Sequence, residues 1–235
     1  MGEMRYFALD GSSRWITIGF LDDDAGISSE MGVEMKARHS RRLLSTVDVF
    51  LKNIGYTIKD VDVLGVGVGP GSFTGLRVSI ATIKGVGEVL GIPIVPLPTL
   101  LLYAMNVPDI PELFVLENAR EDNFYGCIYS TMNGRIKEID GPFFLPLKKI
   151  KDVFASYESV RCILIGGIDF RKEIESLPNV TLLPDWTSNI HGSTLTAMTK
   201  ILYKEGKYTD AKTVEPIYIQ KPLADEMIQY KKTGF

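Results

Sequence analysis

The stretch Gly69-Pro70-Gly71-Ser72-Phe73-Thr74-Gly75-Leu76-Arg77, GPGSFTGLR, decides how the sequence around it is read. Before it, Val61 to Val68 is dense in Val and Leu and bounded by Asp60 and Gly69, which reads as a strand buried on both faces of a parallel sheet. After it, Leu76 to Leu90 reads as a helix ended by Gly91. A turn that hands a buried strand to a helix presents unpaired N–H groups and the positive end of the helix dipole, which favour an anion. Gly69, Gly71 and Gly75 permit positive φ or close backbone approach, Pro70 stiffens the entry, and Ser72 or Thr74 is placed to cap the helix. A structural turn and a ligand turn both remain open on these grounds. A P-loop is excluded because no Gly-Lys-Ser/Thr follows at the required spacing, and Gly71 to Gly75 is out of register for a nucleophile elbow, with no base legible nearby.

Toward the N-terminus, Met4 to Leu9 and the WITIGFL run from Trp15 read as two strands joined by a tight polar turn at Asp10 to Ser13, with a third strand from about Ile27 to Met35. The period then changes: Leu43, Leu44, Val47, Phe50, Leu51 and Ile54 recur at helical steps and Gly55 closes the pattern, giving an amphipathic helix that starts near Ser40. Its stripe is wide enough for a core face and for part of a second contact. IPIVPL, from Ile92, is the next strand. Three strands, a helix, a strand, a helix and a strand predict a mixed sheet flanked by helices, an α/β class. VPDIP, from Val107 to Pro111, marks a lobe boundary. Beyond it, Leu113 to Leu116, Phe124 to Thr131, Ile136 to Leu145 and Cys162 to Ile165 read as strands, Asn133-Gly134 as a hairpin turn, and about Ser193 to Tyr203 as a helix of the second lobe.

A chain of 235 residues is long enough to bury roughly 70% of its unfolded surface. With 26 basic and 29 acidic residues, net −3, it lacks the field that holds a polyanion unaided. Cys127 and Cys162 sit in apolar runs without metal-ligand spacing and read as buried thiols. The opening MGEMRYFALDGSS carries no signal-peptide hydrophobic region, and no stretch approaches the ~20 apolar residues of a membrane span, so a cytoplasmic protein with no membrane contact is expected. His39 stands beside Arg38, Arg41 and Arg42, either as a surface helix start or as a phosphate contact; His191 has no companion at ligand spacing.

GVGVGPGSFTGLRVSIATIKG, the opening FALDGSS, ARHSRRLL and IPIVPLPTLL together resemble the TsaB (YeaZ) family, over roughly Met4 to Leu102. In the second half the resemblance departs from the family pattern: Asn118-Ala119-Arg120 stands for Asp-Ala-Arg before an aromatic strand with Tyr125, and Tyr218-Ile219-Gln220 for Tyr-Leu-Arg. The resemblance implies a two-lobed actin/Hsp70-like, ribonuclease-H-like fold of mixed sheets, with residues 1–106 as the first lobe, 107–220 as a reduced second lobe and 221–235 as a mobile tail. It implies a non-catalytic subunit that pairs with TsaD as a heterodimer, works with the ATPase TsaE, and meets tRNA through the complex, supporting transfer of threonylcarbamoyl to the adenosine 3′ to the anticodon; in isolation a homodimer is expected. The sister family TsaD binds metal through a His-x-x-x-His pair whose positions here hold Thr99 and Tyr103, so no metal is expected.

Asp10, Gly11 and Ser12 resemble the first phosphate turn of the superfamily and, with Gly71 and Ser72, form the candidate nucleotide site; Gly166-Gly167 falls where the adenosine-side glycines would. The isolated chain is expected to need no cofactor, with ATP or ADP and Mg entering at the level of the complex. His39, Leu43, Leu44, Val47, Phe50, Leu51, Thr74 and Arg77 form the candidate partner interface. An ATPase or small-molecule kinase built on Asp10 and the GPGSFTG turn is the competing reading, and a glycoprotease-like metallopeptidase a more distant one.

Overall fold

The computed structural model describes residues 4–34 and 43–219. The first sheet is built from β1 (Arg5–Asp10), β2 (Trp15–Asp22), β3 (Ile27–Glu34), β4 (Val63–Gly69) and β5 (Ile94–Pro98) in the order β3-β2-β1-β4-β5, with β1 antiparallel to β2 and parallel to β4. The second is built from β6 (Leu113–Arg120), β7 (Asn123–Ser130), β8 (Lys137–Pro146), β9 (Val160–Ile165) and β10 (Val180–Leu182). Its order, β8-β7-β6-β9-β10, with β6 antiparallel to β7 and parallel to β9, repeats the topology of the first. Both sheets therefore follow the expected ribonuclease-H-like plan. The reduction of the second lobe is in its helices: α4 (Leu147–Phe154) and α5 (Arg171–Glu175) are short beside α1 (Leu43–Asn53) and α2 (Phe73–Leu90).

The period of two along each first strand sorts the core into layers. Phe7 and Leu9 of β1 face α1 and α2, packing with Leu43, Val47, Phe50, Leu51, Leu76, Ile80 and Ile83. Tyr6 and Ala8 face the other way. In β6, Phe114 and Leu116 pack toward α4 and α5, and Leu113 and Val115 turn inward to the layer that Tyr6 and Ala8 also join. That shared layer contains α3 (Thr99–Ala104), which connects the sheets, and α6 (Gly192–Lys204).

The placement of α6 corrects the reading that assigned the helix from Ser193 to the second lobe: it lies on the first sheet. Thr17 of β2 donates from Oγ1 to the Ile190 carbonyl, and Glu30 of β3 accepts from both the backbone N–H and the hydroxyl of Ser193, completing the helix start from another element. The chain then stays with the first sheet: Thr209 bridges Ile94 of β5, and the Ile217 N–H donates to the Val68 carbonyl at 2.7 Å. Helical periodicity reveals an apolar face but not which sheet it covers. The close approach rests on a pair of glycines, since a Cβ on Gly19 would sit 2.1 Å from the Gly192 carbonyl oxygen. Gly19→Ala is expected to cost about 3 kcal/mol by denaturant titration, whereas Gly85→Ala, on α2 with nothing within 4 Å of the added methyl, gains about 0.5–1 kcal/mol.

Candidate functional site

Asp10 ends β1 at the centre of the first sheet and is fully buried. Its Oδ1 accepts from the Ser12 N–H at 3.0 Å and the Ser12 hydroxyl at 2.7 Å, closing the turn that begins β2. Its Oδ2 rests over Gly67, where a Cβ would lie 1.8 Å from it, and has no partner. Burial pushes the carboxyl up to about 6, against the opposing pull of the two Ser12 donors. The GPGSFTGLR turn packs directly on this one. The Ser72 N–H donates to the Ser12 carbonyl at 2.5 Å, Ser72 Oγ accepts from the Gly75 N–H as the cap of α2, and a Cβ on Gly75 would sit 1.9 Å from the Gly11 carbonyl oxygen. Glycine at these positions lets backbone meet backbone. Thr99 and Tyr103, where a histidine pair would have stood, are both buried; Thr99 Oγ1 accepts from the Gly69 N–H at 3.1 Å.

A cleft of about 1290 Å³ opens between the lobes. Ser12, Gly71 and Ser72 line it, as do Arg14, Trp15, Glu117, Asn118, Arg120, Tyr125, Phe144 and Gly166; Asp10 and Gly11 lie beneath its wall and do not. Glu117, which sequence reasoning missed, stands near the end of β6 and is 8% exposed. Burial first, and then the like charge of Asp10, hold its carboxyl well above the usual carboxylate range. Tyr103, on α3, is likewise raised by burial and by both carboxyls. A legible signal existed: Glu117 is a lone charge at the end of the apolar run Leu113 to Leu116. Asp62 accepts from the Arg5 N–H, Asp60 from Thr57, and Asp185 pairs with Arg171. Cys127 and Cys162 are free and buried, the Cys127 thiol pushed up to about 12 by burial.

The candidate interface divides. Leu43, Val47, Phe50 and Leu51 belong to the core beneath α1, while Leu44 is 60% and Val49 57% exposed. His39 and the helix start near Ser40 lie outside the described residues, as do Gln220 and the tail from residue 221. Thr74 and Arg77 are exposed on α2. Arg77 places its guanidinium 3.8 Å over the Phe73 ring and donates from Nε to the Tyr218 hydroxyl at 3.2 Å, fastening the C-terminal segment at the cleft mouth. Lys84 holds the same segment by donating to the Val214 carbonyl.

The architecture resembles that of YeaZ from Pseudomonas aeruginosa, with a TM-score of 0.77 at 21% identity over 92% of this chain and 99% of that one. In sequence, the chain is 31% identical over 104 residues to the tRNA threonylcarbamoyladenosine biosynthesis protein TsaB of Haemophilus influenzae, covering 44% of this chain and 43% of that protein. It is 28% identical over 137 residues to the TsaB of Bacillus subtilis, covering 58% and 59%. A family model described as TsaD: tRNA N6-adenosine threonylcarbamoyltransferase matches residues 31–174, more than half of the chain. The chain belongs to this family, on its TsaB/YeaZ side. The matched stretches span about half the length of the curated relatives. Among the described residues no helix is long and apolar enough to cross a membrane.

In this TsaB/YeaZ-family chain the buried Asp10 carries a testable sign. Its folded-state value, about 6 against 3.8, is raised, so its contribution to stability is full below about pH 4 and is lost as pH rises through about 6. Asp10→Asn removes that loss. Urea midpoints are expected to show the variant gaining on the parent between pH 4 and pH 7, by up to about 3 kcal/mol, with no gain at pH 4.

Proposed function

We propose that this chain is a non-catalytic scaffold that supports threonylcarbamoyl transfer to tRNA, pairing with TsaD through its first lobe, with TsaE and tRNA joining at the level of the complex. The relatives named for tRNA threonylcarbamoyladenosine biosynthesis support the pathway. The observation that carries the pairing is the outer face of α2. Thr74, Arg77, Ala81, Gly85 and Val89 follow one another at helical steps on the exposed side, Val89 being 81% exposed. Leu44 and Val49 add apolar surface on α1, which covers the same face of the sheet. Small and apolar residues in a row let a second helix approach closely and bury area at low cost. In the absence of TsaD the same face fits its own copy, which is the basis for a homodimer of the isolated chain.

The first-lobe turns support a scaffold over an ATPase. Ser12 and Ser72, which would meet a phosphate, have their hydroxyls engaged, Ser12 with Asp10 and Ser72 with the Gly75 N–H, and Asp10 does not line the cleft. Nucleotide and magnesium are therefore assigned to the complex.

Leu44→Glu and Val89→Glu are expected to stay within about 0.5 kcal/mol of the parent stability, as exposed sites do, yet to lose co-purification with TsaD and restoration of tRNA modification in a mixture of TsaD, TsaE and tRNA. Val47→Glu, which buries a charge, should instead unfold the chain. Complexes that survive both exposed substitutions remove this face from the interface. Steady ATP turnover by the pure chain, abolished by Asp10→Ala, would overturn the scaffold itself.

A further inference from the structure

The pairing register of the second sheet places Ile165, Glu117, Tyr125 and Phe144 in one row, since Glu117 lies opposite Ile165 on one side and Tyr125 on the other, and Tyr125 lies opposite Phe144. Directly opposed residues share a face with neighbouring side chains, and all four line the cleft. The row thus offers an acid flanked by an aliphatic wall and by two rings, Tyr125 and Phe144, whose centroids are 5.1 Å apart. Among the described residues Glu117 has no hydrogen-bond donor; its Oε2 is sealed inside, and its small exposure belongs to the cleft side.

Among the described residues no cation is paired with Glu117, and Arg120, which lines the same cleft, reaches Tyr125 instead. The charge that reaches Glu117 is the like charge of Asp10. Arg14 lies over the Trp15 ring, 5.6 Å from its centroid, and Arg171 is taken by Glu175 and Asp185. A buried carboxyl without a donor costs free energy that a matching cation recovers. A hard divalent ion is poorly served, because it wants six or so oxygens and apart from Glu117 this row offers only the Tyr125 hydroxyl. An organic ammonium suits both halves of the site: as it enters, the Glu117 carboxyl gives up its proton to solvent, the ammonium donates to the carboxylate so formed, and its charge and methylenes lie against the ring faces.

We propose that the row Ile165, Glu117, Tyr125 and Phe144 is a binding site for an organic ammonium group entering from the interlobe cleft. The ammonium bonds to the cleft-side oxygen of Glu117 and rests on Tyr125 and Phe144. The site belongs to the second lobe and is independent of the surface assigned to TsaD, so the two stand or fall separately.

The test is titration of the full chain with butylammonium chloride, followed by calorimetry and by backbone amide shifts of residues 117, 125 and 144. Saturable binding is expected, with no response to butanol. Glu117→Gln, which removes a buried acid and should melt no lower than the parent, is expected to weaken binding at least about tenfold, the worth of one charged hydrogen bond. Phe144→Leu should weaken it several-fold while leaving the butanol control silent. Nα-acetyl-lysine amide, used in parallel, separates a protein-borne lysine from a free small amine as the source: comparable binding assigns the former, and binding restricted to butylammonium the latter. Absence of saturable binding by either amine, binding unchanged in folded Glu117→Gln, or displacement of the amine by magnesium chloride at equimolar concentration would overturn the proposal.

Discussion

The two sheets share one apolar layer, and the cleft between the lobes follows from that shared burial. Tyr6, Ala8, Val63, Val95 and Leu97 of the first sheet meet Leu113, Val115, Cys127 and Ile163 of the second through α3 and α6. Apolar surface on the inner face of either sheet would otherwise stand in water, so the lobes are held together by the same force that folds them. Because both sheets repeat one strand order, joining them by their inner faces brings the ends of β1 and β6 to the same place. Asp10 and Glu117 come together for that reason.

The acid ends of the two lobes are not equivalent in use. On the first lobe the turn after β1 is consumed by the turn before α2: carbonyls and N–H groups bond across, and glycines leave no space between them. On the second lobe the end of β6 carries larger residues, Asn118 and Arg120, and Glu117 keeps one side toward the cleft. The first-lobe turns pack against each other, with Ser12 and Ser72 still lining the cleft, and the end of β6 faces the same space from the other side. The surface of α2, in contrast, is free of such internal commitments along Ala81, Gly85 and Val89. That division favours recognition on the helix face over chemistry at the first turn.

The strands and long helices were legible because their apolar periods are strong. The Val61 to Val68 run contains most of β4, which spans Val63–Gly69, and the cap on α2 is Ser72, one of the two residues chosen for it. The six-residue stripe of α1 was harder to divide. Leu44 and Val47 stand only about 60° apart around the helix, so the period alone does not separate them, and packing on the sheet buries Val47 while Leu44 stays exposed. Short elements such as α5 and β10 carry too few residues to show a period, and their existence depends on neighbours already in place.

By itself the sequence determined the α/β class and the order of strands and helices in the first lobe, because these are written in local composition and spacing, while its motifs carried the resemblance to the family and the resemblance alone implied that Thr99 and Tyr103 replace a histidine pair. Tertiary structure decided that α6 covers the first sheet, that Asp10 is sealed beneath the cleft, and that Glu117 joins Tyr125 and Phe144 at its edge. Such outcomes depend on residues brought together from distant parts of the chain, where burial and register act on pairs and not on single positions. A glycine reads as a turn in sequence; only the backbone lying against it shows that Gly75 and Gly192 serve contact between elements.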